Sequence, residues 1–348
     1  MEFIAPKHTS SYLKVIGVGG AGTNAVNNMY RQGITGIDYI VCNTDAKALE
    51  ESPVPTKINL ESHCAGMPPE AAKQLALKWA EEIKEILSEN TTLLFIVAGM
   101  GGATGTGAAP EIARIAKTIE LNDKDFPKIT VVALVTTPFG FEGEKHMEQA
   151  MAGIEELRKC TDAIMIIDNN KLLEGEKKTF RETLTKIDEA MSSTIRVFTD
   201  MITLDAVVCV DLRDIQSIMT DAGDCFVGSG IAEGKTRVLD AALQALTKPL
   251  STVSDISSSQ KLLLHFTCSK EHEITTQELE GAFSYLTGVC VKQPTILWGI
   301  GYDNTLGEKV WVTIVATNFK KLPQCFDDMP PGIIDCIDFS TNEKKRQE

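Results

Sequence analysis

Two glycine-rich segments each follow an apolar run that is typical of a buried strand. The first spans residues 17–22 (GVGGAG) and precedes the helix-compatible stretch TNAVNNMYR, and the second spans residues 99–110 (GMGGATGTGAAP). Glycines let backbone N–H groups approach a phosphate, and the positive end of a following helix dipole favours an anion. The G-x-G-x-x-G spacing of the first segment is weak evidence alone, because it also occurs where a strand simply turns into a helix. Together the two segments predict a two-part cradle for a di- or triphosphate.

The second segment separates this prediction from its alternatives. It adds the hydroxyls of Thr104 and Thr106, and Pro110 is expected in the first turn of the following helix, where its missing N–H costs nothing. It lacks the lysine of a Walker-type loop, and its tight placement between strand and helix argues against a flexible linker. An NAD-dependent dehydrogenase is a rival, with Asp45 of NTDAKAL holding the ribose, but that fold needs only one glycine-rich loop.

The elements that must position these segments follow two patterns. In the first half, apolar runs at residues 13–18, 37–43, 92–98, 129–137 and 163–168 alternate with helical patterns, including one helix over residues 71–87. This order predicts an α/β fold with a doubly wound parallel sheet. A long amphipathic helix begins near Thr179. Beyond it, strand-like runs at 261–268, 295–302 and 309–319, with helical stretches at 235–246 and 275–286, predict a mixed, largely antiparallel sheet.

Charge and cysteine content exclude several classes of protein. The 348 residues include 48 acidic and 34 basic side chains, a net charge of −14, which disfavours nucleic acid and anionic membranes as main partners. The nine cysteines form no C-x-x-C pair, as is typical of reduced thiols. The N-terminal sequence does not resemble a signal peptide, and no apolar run approaches the roughly 18 residues of a membrane span. We expect a cytoplasmic protein without direct membrane insertion.

Six motifs in this order, and a C-terminal strand segment, carry a family resemblance. They are GVGGAGTNAVNNM, NTDAKAL, AGMGGATGTGAAP, TTPFGFEG, DNNKLL and VDLRDIQSIM, followed by ILWGIGYDNTLGEKVWVTIVATNF. From about residue 12 to residue 319 the chain resembles the FtsZ family, the bacterial members of the tubulin superfamily. The resemblance implies a GTPase that assembles head to tail into protofilaments, with the nucleotide between subunits, in cell division. It also implies GTP or GDP as ligand, with Mg²⁺ held mainly through the phosphates and no metal ligands identified on the protein.

The resemblance further implies a domain order and a set of partners. The expected segments are an N-terminal extension (1–12), a GTP-binding domain (13–176), a central helix (177–204), a smaller α+β activating domain (205–319) and a tail (320–348). The expected partner is the chain itself, in a longitudinal homopolymer at the division site. A co-resident FtsZ and division adaptors are further candidates. MPPGIID in the tail is a candidate adaptor peptide, although a plain surface tail is the favoured interpretation.

Site residues are implied at the positions that match the family's motifs. Asp211 and Asp214 would act on the neighbouring subunit's nucleotide by polarising the attacking water and helping to organise the magnesium site. Without the resemblance they are ordinary helix-start or surface residues. Asn169 and Asp188 would read guanine, because a carboxylate accepts from its N1–H and N2–H₂; a solvated helix position is the alternative for Asp188. The remaining nucleotide-binding positions are Gly19, Gly20, Ala21, Gly22, Asn24, Asp45, Gly101, Gly102, Ala103, Thr104, Gly105, Thr106, Thr136, Pro138, Glu142, His146 and Leu184.

Several positions depart from the family's pattern, mostly on the phosphate side. Ala103 replaces a glycine, His146 an arginine, Cys209 an asparagine and Leu184 an aromatic residue, while Arg213 stands between the two aspartates. The loop before AGMPPEAA is also shorter. We therefore hypothesise a divergent paralogue with slowed or altered hydrolysis. The alternative, from a different class, is a guanine-nucleotide-binding scaffold or filament modulator with little or no GTPase activity.

Overall fold

Buried strands alternate with amphipathic helices along most of the chain. The computed structural model describes residues 12–61, 67–170, 179–203, 205–247, 251–253 and 255–319. In chain order the elements are β1 (Leu13–Val18), α1 (Gly19–Arg31), β2 (Asp38–Asn43), α2 (Ala46–Glu50), β3 (Thr56–Asn59), α3 (Pro69–Lys78), α4 (Ala80–Ser88), β4 (Leu93–Gly99), α5 (Ala103–Lys117), β5 (Thr130–Thr137), α6 (Glu144–Arg158), β6 (Ala163–Asp168), α7 (Phe180–Thr203), β7 (Ala206–Val208), α8 (Leu212–Met219), β8 (Gly223–Asp224), β9 (Phe226–Ala232), α9 (Arg237–Thr247), β10 (Lys261–Cys268), α10 (Thr276–Val289), β11 (Thr295–Tyr302) and β12 (Val310–Thr317).

A seven-stranded sheet in the order β3-β2-β1-β4-β5-β6-β8 forms the first half of the molecule. Every neighbouring pair in it is parallel. Along β1, Leu13 and Val15 belong to the core on one face of the sheet, and Ile16 and Val18 belong to the core on the other. Burial on both faces explains why these strands are continuous apolar runs. The doubly wound α/β prediction is confirmed.

Helix α7 joins this sheet to a second one. Its buried residues Ile187, Met191, Ile195 and Phe198 recur at helical spacing and share one core with residues of both sheets. The second sheet has the order β7-β11-β10-β12-β9, and only its β10–β11 pair is parallel. This confirms a mixed, largely antiparallel sheet. Within the described residues, no helix is both long enough and apolar enough to cross a membrane.

The structure differs from two local predictions. Pro110 is the eighth residue of α5 and does not lie in its first turn, so the Thr106 carbonyl has no N–H partner four residues later. The helix expected over residues 71–87 is two helices, α3 and α4, which meet at Trp79 with φ −97° and ψ 16°. Apolar spacing did not reveal this break because Ala76 and Ile83, one on each side of it, enter the same core.

His265 lies buried in the middle of β10, opposite Gly299 of β11. A Cβ atom on Gly299 would lie 2.9 Å from the carbonyl oxygen of Val208 and 2.7 Å from the Val210 side chain. The imidazole therefore sits beside the segment that leads into α8. It is only 5% exposed, and burial lowers its pKa to about 4.

We expect His265 to make folding sensitive to acid. Because the folded-state pKa is depressed, its stabilising contribution is complete above the ordinary value of about 6.5 and is lost as the pH falls towards 4, at a cost of about 3 kcal/mol. Chemical denaturation of His265→Gln at several pH values should show a shallower loss of unfolding free energy over this range than the wild type. Equal slopes would contradict the prediction.

Candidate nucleotide-binding site

The N-termini of α1 and α5 meet at the carboxyl ends of the neighbouring strands β1 and β4. Neither helix has an acidic residue in its first turn, and neither N-cap residue, Val18 or Gly102, provides a side-chain cap. A Cβ atom placed on Gly19 would lie 3.0 Å from the backbone nitrogen of Gly105, so the two loops are in contact. Adjacent helix N-termini with uncapped N–H groups form a site for an anion of more than one phosphate.

Close backbone packing explains two of the glycines. A Cβ atom on Gly22 would lie 2.2 Å from the carbonyl oxygen of Val97, and one on Gly105 would lie 2.2 Å from that of Gly99. Any side chain at these positions would push α1 or α5 away from the strands. In contrast, a Cβ atom placed on Gly20 would have no described heavy atom outside its own helix within 4 Å. The buried glycines hold the helices in place, and the exposed one faces the space above the loops.

The two threonines of the second loop make different contacts. Thr106 is buried, and its hydroxyl accepts a hydrogen bond from the Gly101 backbone N–H at 2.9 Å. Thr104 instead pairs its hydroxyl with that of Thr44 at 2.8 Å, which connects the loop to the end of β2. Ala103 is the first residue of α5 and does not have a positive φ, so its methyl group brings no backbone strain.

A second ring of predicted residues surrounds the loops. A Cβ atom on Gly101 would lie 2.5 Å from Pro138 and 3.0 Å from the His146 carbonyl oxygen, so both residues border the second loop. His146 donates from Nδ1 to the Glu142 carbonyl at 3.1 Å, and the Glu142 carboxylate accepts from the Phe139 N–H at 2.8 Å. The other predicted members are Thr136, buried at the end of β5; Asp45, the N-cap of α2; and Ala21 and Asn24, exposed on α1.

The base-reading candidates lie at the end of β6 and on α7. Asn169 is 7% exposed, and its Oδ1 is one of two buried side-chain N or O atoms without a hydrogen-bond partner in the described part of the chain. Leaving such an atom unpaired is costly, so Asn169 is a candidate to accept a hydrogen bond from a bound ligand. Asp188 is half-buried, and burial together with the nearby Glu189 raises its pKa to about 6. The exposed side chain of Leu184 lies one turn earlier on α7.

Sequence reasoning missed an aromatic cluster beside these residues. Phe139 and Phe141 stack with ring centroids 4.9 Å apart, and the Phe180 ring lies 5.8 Å from Phe139 and 6.2 Å from Phe141. Phe141 and Phe180 are 68% and 58% exposed, which is unusual for phenylalanine. Phe180 precedes Leu184 by four residues on the same helix face. The i, i+4, i+8 spacing of Phe180, Leu184 and Asp188 was the available signal.

The two candidate catalytic carboxylates lie elsewhere. Asp211 caps α8, accepting from the Asp214 N–H at 2.9 Å, and the Asp214 carboxylate accepts from the Asp211 N–H at 3.2 Å. Helix α8 contacts the amino ends of the sheet strands, since Gln216 donates to the carbonyl of Thr92, which precedes β4. The eight residues of β5 span about 23 Å from this edge to the phosphate loops. One copy of the chain therefore does not bring the aspartates and the loops together.

Comparisons with known proteins agree with this arrangement. Residues 12–176 match the family model "Tubulin/FtsZ family, GTPase domain", and residues 223–320 match "FtsZ family, C-terminal domain". A cell division protein FtsZ of Wolbachia is 36% identical over 88% of this chain and 79% of its own length. That of Porphyromonas gingivalis is also 36% identical, over 88% and 67%. A solved FtsZ dimer from M. jannaschii is 31% identical with a TM-score of 0.77, covering 90% of this chain and 89% of that one.

The parallel sheet and its paired glycine-rich loops define a nucleotide-binding protein of the tubulin class, in place of a dinucleotide-dependent dehydrogenase. The chain belongs to the FtsZ family. It is accordingly a cytoskeletal GTPase whose ligands are GTP and GDP.

We expect guanine-nucleotide affinity to depend on the ionisation of Asp188. With a pKa of about 6, the carboxyl group is mostly ionised at pH 7 and mostly protonated at pH 5, so GDP affinity should fall roughly tenfold over this range. Calorimetric titration of Asp188→Asn should give weaker binding at both values. Protonation of the nucleotide's own phosphates affects the wild type and Asp188→Asn equally. Parallel pH curves for the two proteins would therefore refute the assignment.

We also expect Phe180→Ala to weaken GDP binding roughly tenfold, because base stacking on an aromatic ring contributes on the order of 1–3 kcal/mol. Tyr285→Ala, which removes an exposed aromatic ring from α10, is the matched control and should bind normally. Equal affinities of the two variants in the same titration would show that the aromatic cluster does not contact the base.

Proposed function

We propose that this chain hydrolyses GTP where two copies stack head to tail, with Asp211 and Asp214 of one copy acting on the nucleotide held by the next. The observation that carries the proposal is the division of the candidate site between opposite edges of the parallel sheet. The phosphate loops follow β1 and β4, whereas α8 is bonded to Thr92 at the start of β4 and through Thr220 to Thr130 at the start of β5. Translation of one copy along the strand direction brings these two edges together.

Guanine is favoured over adenine by the residues at the base end. The ionised Asp188 carboxylate would accept from N1–H and N2–H₂ of guanine, and adenine has no donors at these positions. The unpaired Oδ1 of Asn169 is a second acceptor, available because the described structure offers it no partner. The family membership supports GTP and GDP as the ligands, and these two acceptors account for the preference.

Magnesium fits this site as an ion that binds in complex with the nucleotide's phosphates. Among the described residues no group of three or more His, Cys, Asp or Glu side chains is placed to hold a metal ion. Mg²⁺ is commonly bound through substrate phosphates, one or two protein oxygens and water. The Thr44 and Thr104 hydroxyls, which pair with each other beside the loop, would be candidate protein oxygens. The ion would neutralise phosphate charge.

Hydrolysis requires an oriented water and little covalent chemistry from the protein. The oxygen of the water forms a bond to the γ-phosphorus, the bond from that phosphorus to the bridging oxygen breaks, and the electron pair stays with GDP. We assign to Asp211 and Asp214 the orientation of this water, whose proton leaves to solvent. Their reciprocal capping bonds hold both carboxylates at the start of α8, where each retains a free oxygen lone pair for the water.

The biological role we propose is filament formation in cell division, at the division site in the cytoplasm, because the relatives are cell division proteins. A co-resident FtsZ and division adaptors are the proposed further partners; the tail that would contact adaptors lies outside the described residues. The comparisons offer no support for a scaffold without GTPase activity. The replacement of arginine by His146 and of asparagine by the exposed Cys209 supports a slowed reaction.

Turnover per subunit should rise steeply above a threshold protein concentration, because only stacked copies complete the site.

Asp211→Asn should lower phosphate release at least about 100-fold while filaments still sediment with GTP. Mixing Asp211→Asn with a variant whose pocket fails, Asp188→Lys, should restore activity at about a quarter of the interfaces in a random copolymer, since one copy supplies the pocket and the other α8. Concentration-independent turnover, or no recovery on mixing, would exclude a site shared between copies.

A further inference from the structure

Arg213 lies between the two candidate catalytic aspartates and is held in place by a different part of the chain. Its guanidinium donates to the Asp123 carboxylate at 2.5 Å and to the Asp125 carboxylate at 3.1 Å. Asp123 is itself fixed, because its other oxygen accepts from the backbone N–H groups of Asp125 and Phe126. These two bonds hold the pKa of the Asp123 carboxyl below its usual range. The Arg213 side chain is nevertheless 59% exposed.

The phosphate loops have no permanent cation of their own. Residues 17–24 and 99–107 contain neither lysine nor arginine. Three side chains that contact these loops carry no charge: Thr44 and Gln149 form hydrogen bonds with them, and Pro138 packs close to Gly101. His146, the nearby titratable base, bonds its ring to the Glu142 carbonyl. Transfer of a phosphoryl group nevertheless develops negative charge that a fixed cation stabilises strongly.

We propose that Arg213 is the missing cation and acts in trans: in the filament its guanidinium contacts the γ-phosphate of the GTP bound by the next copy. The inference rests on the proposed function, because it requires that α8 face the neighbour's nucleotide. Arg213 stabilises charge on the phosphate oxygens while the water–phosphorus bond forms and the bridging bond breaks. It exchanges neither a proton nor electrons, and the released proton still leaves to solvent.

The ion pair with Asp123 and Asp125 is the resting position of this arginine. Exposed ion pairs are weak and screened by salt, so a triphosphate, with its higher charge and several acceptor oxygens, competes successfully for the guanidinium. In a free copy the pair holds the Arg213 guanidinium on Asp123 and Asp125, and not on Asp211 or Asp214. On assembly, the guanidinium would leave the carboxylates of Asp123 and Asp125 and bond to the phosphate oxygens of the neighbour's GTP.

A purely structural tie between α8 and the segment at residues 123–125 is the competing explanation, and two variants separate it from catalysis. Arg213→Met removes both the tie and the cation, whereas the double variant Asp123→Asn, Asp125→Asn weakens the tie and leaves the cation. Phosphate release is measured per sedimented subunit, so that differences in assembly cancel. We expect Arg213→Met to lose at least about 100-fold in turnover and the double variant to match or exceed the wild type.

Chemical rescue provides a readout that a structural role would not move. Millimolar guanidinium chloride should raise the turnover of Arg213→Ala several-fold and leave that of the double variant unchanged. Equal losses in Arg213→Met and the double variant, without rescue of Arg213→Ala, would overturn the inference and establish the structural tie.

The Asp211→Asn variant distinguishes failure of the inference from failure of the proposed function. If Asp211→Asn is inactive and Arg213→Met hydrolyses GTP normally, the shared site stands and Arg213 has no part in it. If Asp211→Asn hydrolyses GTP normally, α8 does not serve the neighbouring nucleotide, and both proposals fail. Loss in both variants, with activity kept by the double variant, supports both.

Discussion

The contact between the backbones of two neighbouring strand–loop–helix units is the constraint on which the rest of this structure depends. Because β1 and β4 are adjacent, α1 and α5 begin within the same small volume, and Gly22 and Gly105 pass against the carbonyls of Val97 and Gly99 at distances that exclude a Cβ atom. The uncapped N–H groups that result attract phosphates without any charged side chain. Base recognition and positive charge must therefore come from other elements. On our proposals they come from the end of β6, from α7 and from α8 of another copy.

The sequence predicts an element of the fold well where the interactions that determine that element lie between residues close together in the sequence. The bounds of strands β1 and β6 were predicted to the residue, because strands that are buried on both faces consist of continuous apolar runs. The two-residue β8 and the four-residue β3 were missed, since such short edge strands carry almost no pattern. Pro110 was misplaced because glycines and threonines at residues 103–107 form the first turns of α5, although their composition is typical of a loop.

The same distinction applies to the candidate site. The phosphate loops were predictable because their chemistry is that of the backbone and needs only glycine at close spacing. The aromatic cluster was not, because Phe141 and Phe180 are separated in sequence and meet only when α7 packs beside the turn that follows β5. The pair of Arg213 with Asp123 likewise joins residues 90 positions apart. Sequence showed that Arg213 was unusual, but only the fold shows which carboxylates hold it.

Helix α7 sets the distance between the two halves of the site. Its 24 residues extend about 36 Å, from Phe180 at the base end to Thr203 before β7 and α8, and its buried face packs on both sheets. This helix contains no proline or glycine, so neither residue introduces a kink along it. On the proposed function, completion of the site is therefore a property of the contact between copies, and not of bending within one.

Negative charge opposes the stacking of copies. Each copy carries a net charge of −14. The proposed stacking would bring Asp211 and Asp214 towards a triphosphate and concentrate negative charge at the completed site. On our proposals, magnesium on the phosphates and Arg213 of the neighbouring copy compensate part of this charge. On this proposal, loss of the γ-phosphate removes the acceptor for Arg213, whose guanidinium then returns to Asp123 and Asp125. The reaction that the interface makes possible thereby removes one of the contacts that stabilise the interface.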